Sequence, residues 1–253
     1  MPTADPKTRA LFWDIHSGLP REGPGNREST ERALRLAAPI PDDARVLDIA
    51  CGPGMQTLHL AELLPDATIC AIDNHEPFVE ETNQRAVLRG VNDRVRAIRA
   101  DMRSLPFPPA TFDLIWCEGA AYIMGLDKAL KGWRSLLKLG GKLGLSEAVW
   151  LRPNPPEQVR RMWSSDYPNM GDIQTCRALV RDCGYQLLGD FVLSEAAWWA
   201  YYGPKEERLR QLAPKYAGDP VAEAFLRQSA LEVAKFRDYA EYYGYVFLVM
   251  AAR

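Results

Sequence analysis

Val46-Leu47-Asp48-Ile49-Ala50-Cys51-Gly52-Pro53-Gly54-Met55-Gln56-Thr57 is the stretch whose reading decides the fold. A short apolar strand ends in an acid, passes through a loop of small residues and enters an amphipathic helix. An open α/β sheet holds a nucleoside-like cofactor in this way, at the carboxyl end of its first strand. Gly52 and Gly54 would let backbone approach the ligand closely.

On the C-terminal side an alternating strand–helix rhythm continues. Strands are expected at Arg45–Ile49, Thr68–Ile72, Val95–Ala100, Phe112–Cys117 and Lys142–Val149. Helices are expected at Met55–Leu64, Glu76–Arg89 and Asp127–Leu139, the last closed by Gly140-Gly141. Short apolar strands separated by helices indicate a parallel sheet covered on both faces. After Trp150, Pro153, Pro155 and Pro156 break the rhythm. Helical segments at Glu157–Asp166 and Ile173–Cys183, a strand at Gln186–Leu193, a helix-rich stretch Lys205–Tyr239 and an apolar last strand Gly244–Ala251 complete the chain. On the N-terminal side, a short helix at Thr8–His16 and a Gly/Pro loop lead to a second helix, with Ser29 or Thr30 as its cap and Pro39 and Pro41 as its stop.

The strand ends carry the chemistry. Asp48 ends the first strand; Asp73 ends the second, nineteen residues past Gly54; Asp101 ends the third, followed by Met102. An acid at Asp73 suits ribose hydroxyls, Asp101 and Met102 suit an adenine amino group and ring, and Asp48 suits an ammonium. These three together select S-adenosylmethionine (SAM), which combines adenosine, a sulfonium and an amino-acid tail. A dinucleotide needs G-x-G-x-x-G, and Gly52-Pro53-Gly54-Met55-Gln56-Thr57 lacks the final glycine. An NAD-dependent oxidoreductase therefore ranks below a methyl-transferring enzyme. A non-catalytic SAM-binding module is the other alternative, and strand-end acids can also simply cap the helices that follow.

Of 253 residues, 47% are hydrophobic and 25% charged, and the formal net charge is −2. This gives no electrostatic reason to expect nucleic acid or an anionic membrane as partner. The N-terminus has no apolar signal core and the chain no apolar run of membrane-spanning length, so a cytoplasmic location is the default expectation. Five scattered cysteines and three histidines lack metal-ligand spacing, and no metal is expected.

The run Asp48–Gly54 resembles motif I of the class I SAM-dependent methyltransferases, D/E-x-G-x-G-x-G, with Ala50 in place of its first glycine. Asp73, Asp101-Met102 and Phe112–Gly119 resemble the later motifs in order. Arg21–Asn26, Glu118–Tyr122, Ser146–Trp150 and Tyr242–Phe247 are similar to a bacterial group of stand-alone small-molecule methyltransferases without an assigned substrate. The resemblance implies a Rossmann-like, doubly wound α/β sheet of seven strands with an antiparallel last strand, plus N-terminal helices and a helical cap. It implies a single domain: a cap segment at 1–40, a SAM-binding core at 41–150, and substrate-side elements with the last two strands at 151–253. It also implies SAM as methyl donor, S-adenosylhomocysteine as product, and a small-molecule acceptor, while admitting a homodimer.

Cofactor contacts are expected from Asp48, Ala50, Gly52, Gly54, Gln56, Asp73, Asn74, Asp101, Met102 and Glu118. An amine or hydroxyl acceptor must lose a proton, which calls for a general base. Glu118, at the fourth strand end, Tyr122 just beyond it, and His16 in the N-terminal segment are the candidates. Trp150, Trp163, Tyr167 and Trp198 are candidates for an aromatic wall around the acceptor. Glu147 is a candidate pocket residue as well, with a structural role as the alternative.

Overall fold

The computed structural model describes residues 5–253, with the backbone alone described at 165 and 166. Helices α1 (Pro6–His16) and α2 (Arg27–Ala37) precede β1 (Arg45–Ile49), α3 (Met55–Leu63), β2 (Thr68–Asp73), α4 (Glu76–Leu88), β3 (Val95–Arg99) and β4 (Phe112–Glu118). A 3-10 turn (Ala121–Ile123), α5 (Leu126–Arg134) and β5 (Leu137–Trp150) come next. The chain closes with α6 (Glu157–Asp166), α7 (Ile173–Asp182), β6 (Tyr185–Val192), α8 (Glu195–Leu212), α9 (Pro220–Tyr239) and β7 (Tyr243–Ala252).

The described strands form one sheet in the order β3-β2-β1-β4-β5-β7-β6. All neighbouring pairs are parallel except those of β7, which runs antiparallel to both β5 and β6. The chain's direction of travel across the sheet reverses between β1 and β4. That switch point opens a crevice beyond the carboxyl ends of the strands, where such sheets bind ligands.

Side chains alternate between two cores because successive strand residues face opposite sides. Val46, Leu114, Trp116, Ala148 and Phe247 pack under α2, α3, α8 and α9. Leu47, Ile115, Leu145, Val246 and Leu248 pack under α5 and α7. Coverage on both faces explains why β1 and β7 read as continuous apolar runs rather than alternating ones.

Three local expectations are corrected. The cap of α2 is Asn26, whose side chain accepts from Ser29 N at 2.9 Å while Ser29 Oγ accepts from Asn26 N at 3.0 Å, a reciprocal capping box. Helix α5 stops at Arg134, and Gly140-Gly141 lies within β5 rather than behind a helix. The pairing jumps from Phe112↔Leu137 to Leu114↔Lys142, so the glycines sit in an irregular stretch, and Leu136, in the turn before β5, and Leu137, its first residue, are both buried. Finally, the cap helix α8 begins at Glu195 and takes in the tryptophans and tyrosines ahead of Lys205, with Pro204 inside it.

Candidate active site

The loop after β1 takes its shape from three left-handed residues, Ala50 (φ 57°), Gly52 (φ 53°) and Gly54 (φ 89°). Ala50 carries a side chain in a conformation that costs about 1–2 kcal/mol. At Gly54 a Cβ would lie 2.5 Å from Thr82 Oγ1 of α4, so the position also lacks space for one. Thr82 Oγ1 donates to Gly52 O at 3.0 Å, and Gln56 Nε2 donates to Cys51 O at 2.8 Å. Gln56 is buried and braces the loop from within.

The strand-end acids fall into two kinds. Asp73 accepts from Gly52 N at 3.0 Å and from His75 N at 2.9 Å, which holds its half-buried carboxylate at the lip of the loop. Asp101 is forked by Arg103, Nε at 2.9 Å and Nη2 at 2.6 Å, and those bonds lower its pKa to about 2. Asp48 is fully buried. Thr57 Oγ1 donates to its Oδ2 at 2.6 Å, while Oδ1 has no partner, and burial lifts the carboxyl to about 8. Asn74 is exposed beside Asp73; Met102 is half-buried, its carbonyl accepting from Trp133 Nε1 at 3.2 Å.

The N-terminal segment folds over this edge. Trp13 stacks on His75, with ring centroids 3.4 Å apart, and meets Phe78 edge-on. Glu22 lies against the loop: a Cβ on Gly52 would be 3.4 Å from Glu22 Cγ. His16 is buried, stacks on Phe12 and pairs through Nδ1 with Glu22 Oε2, so its geometry orients Glu22. Burial raises the Glu22 pKa against the pull of His16.

Glu118 departs most from expectation. Arg21 Nη2 donates to its Oε2 at 2.5 Å, Trp116 Nε1 to Oε1 at 2.9 Å and Thr30 Oγ1 to Oε1 at 3.3 Å. Both oxygens of this buried carboxylate are thus engaged, one of them by a guanidinium. Glu118 thereby seams the N-terminal segment to β4 through Arg21 and Thr30.

The aromatic wall also divides. Trp198 is packed among Phe236 (4.3 Å, stacked), Tyr202, Tyr243 and Tyr245, and so serves the joint of cap and sheet. Trp163 meets the Tyr243 ring at 5.3 Å, and half-buried Trp150 is tied by its backbone N–H to Gly171 O at 2.9 Å. Tyr122 and Tyr167 do come together, with ring centroids 5.5 Å apart, near Glu147. Arg21, Glu22 and Trp13 were not singled out from the sequence, although Arg21 and Glu22 stand in a stretch with a recognisable pattern.

Residues 46–141 match the sequence family described as "Methyltransferase domain". A 27-O-demethylrifamycin SV methyltransferase of Amycolatopsis mediterranei is 33% identical over 147 residues, covering 57% of this chain and 52% of that protein. Over residues 46–141 this chain is thus similar to methyltransferase domains. The chain spans about half the length, or less, of the curated relatives first matched. The crystal structure of a SAM-dependent methyltransferase from Geobacter sulfurreducens, in complex with S-adenosylhomocysteine, superimposes with a TM-score of 0.83 at 22% identity, covering 96% of this chain and 98% of that one. The cyclase SpnF shares this fold at a TM-score of 0.74 and 20% identity, covering 97% and 92%. The fold therefore does not by itself fix the reaction.

Proposed function

We propose that this chain is a SAM-dependent methyltransferase acting on a small-molecule acceptor, with S-adenosylhomocysteine as product. The observation that carries the reading is a set of orphaned buried atoms around the loop. Arg21 Nη1 is a buried donor without a partner, and Glu22 Oε1 and Asp48 Oδ1 are buried acceptors without one. Such groups are rare unless something else satisfies them. A zwitterionic amino-acid tail does so: its carboxylate suits Arg21, and its ammonium suits Glu22 and Asp48. Asp73, at the β2 end, has lone pairs left for ribose hydroxyls. Asp101, Met102 and Asn74 border the adenine end, and Ala50, Gly52 and Gly54 supply the backbone floor.

When bound, SAM supplies an electrophilic methyl carbon on a sulfonium leaving group, open to in-line displacement. What remains for the chain is alignment and exclusion of water. Trp13 stacked on His75, together with the Arg21–Glu118 seam, closes the N-terminal segment over the site. Among the described residues no helix is long and apolar enough to cross a membrane. We place the protein in the cytoplasm without nucleic-acid or membrane partners, and a homodimer is compatible with this reading.

The test is incubation with methyl-labelled SAM and fractionated metabolite extract. Label appearing in a small organic product, together with S-adenosylhomocysteine, is the expected result. SAM binding without transfer in any fraction would instead identify a non-catalytic binding module.

A further inference from the structure

Glu147 lies at the carboxyl end of β5, one residue beyond Ser146, which is in register with Glu118. Its side chain falls on the opposite face of the sheet from Glu118, together with Cys117 and Val149. It is fully buried, and neither carboxylate oxygen has a formed hydrogen bond. The other buried acids of the site each have at least one partner: Asp48 has Thr57, Glu118 has Arg21, and half-buried Glu22 has His16. Among the described residues, the titratable groups on its face that feel Glu147 are Cys117 from β4, Tyr167 after α6 and Cys176 from α7, and Tyr245 from β7 feels it from the other face of the sheet. None of these is cationic. Burial raises the Glu147 pKa to about 7, and the Tyr167 hydroxyl pulls the other way.

A buried carboxylate is retained where a partner compensates it. Here the compensating cation is missing from the facing groups, while the paired rings of Tyr122 and Tyr167 offer faces that attract one. We propose that Glu147, flanked by Tyr122 and Tyr167, anchors an acceptor subsite for an amine, which enters as an ammonium and gives its proton to Glu147. The proposal rests on the methyltransferase reading and names its substrate class. A hydroxyl would bring a hydrogen bond but no charge, leaving the buried carboxylate uncompensated. In the transfer step the N–H bond breaks and its proton goes to a Glu147 oxygen. The freed nitrogen lone pair forms the N–C bond to the methyl carbon, and the S–C bonding pair stays on sulfur. The neutral Glu147 acid then returns the proton to water.

The test is an infrared titration of the protonated-carboxyl band, taken as the difference between wild type and Glu147→Gln, with S-adenosylhomocysteine present. Propylammonium, phenol and sodium chloride are compared as additives. Propylammonium is expected to lower the Glu147 midpoint by about one to three pH units, as an opposite charge at contact distance does, and phenol and salt to leave it in place. A midpoint blind to propylammonium, or lowered equally by phenol, overturns the proposal. Calorimetry keeps the two readings apart. Wild type that fails to bind S-adenosylhomocysteine overturns the methyltransferase reading, whereas normal binding with an amine-blind Glu147 overturns only the amine subsite. If Glu147→Gln does not fold, Glu147→Asp replaces it, since a shortened acid displaces the band without removing it.

Discussion

Glu118 and Glu147 sit at the ends of adjacent strands, both buried, and they have opposite surroundings. Around Glu118 every oxygen is engaged, by Arg21, Trp116 and Thr30. Around Glu147 neither oxygen has a fully formed hydrogen bond, only the Tyr167 hydroxyl acts on the carboxyl, and no cation among the described residues faces it. The first acid is a fastener and the second a vacancy in the hydrogen-bonding sense. Position at a strand end does not separate these roles; the partners do. The same division runs through the cofactor side, where Asp101 is locked by Arg103 while Asp48 keeps one oxygen unmatched.

The sharpest way to break this comparison is Glu118→Ala. It strands Arg21 as an unpaired buried charge, and breaking such a pair costs about 3–5 kcal/mol. Urea denaturation should show that loss; stability within about 1 kcal/mol of wild type would mean that the seam is not a fastener.

Asp48→Asn probes the unmatched kind. The folded pKa of Asp48 is raised to about 8, against about 4 in the unfolded chain. Its favourable contribution is therefore full below pH ~4 and is lost as pH rises through about 8. The stability of Asp48→Asn relative to wild type should rise over that window, by on the order of a few kcal/mol, and level off above it. A pH-independent difference in thermal or urea unfolding would show that Asp48 is not desolvated as described.

On the cofactor side, Asp73→Ala should weaken S-adenosylhomocysteine binding by about 1.5–3 kcal/mol, roughly tenfold to a hundredfold in Kd. Unchanged affinity by calorimetry would place the ribose elsewhere. The smallest effect is expected from Ala50→Gly. Relief of the left-handed alanine is partly offset by the freer unfolded chain, leaving a gain of up to about 1 kcal/mol in urea unfolding.

The sheet was legible because its strands are apolar runs punctuated by Gly, Pro and acids, and the antiparallel last strand came with the family resemblance. The boundary of α5 and β5 was not legible. Gly140-Gly141 reads as a helix stop, and only pairing with Phe112 and Leu114 reveals the strand around it. The start of α8 was hidden because Gly203-Pro204 looks like a breaker, whereas burial of Trp198, Tyr201 and Tyr202 outweighs propensity there. At the site, the loop and Asp73 follow from local spacing. The locking of Glu118 depends on Arg21, ninety-seven residues away in the chain, and the isolation of Glu147 depends on what is absent around it. Neither is encoded locally.

The central claim is that the β1–β3 strand ends hold SAM rather than a dinucleotide. Titration calorimetry of the wild-type chain with SAM, S-adenosylhomocysteine and NAD tests it most directly. Saturable binding of the first two with no heat from NAD is the predicted result; tight NAD binding with no response to SAM or S-adenosylhomocysteine would contradict the account.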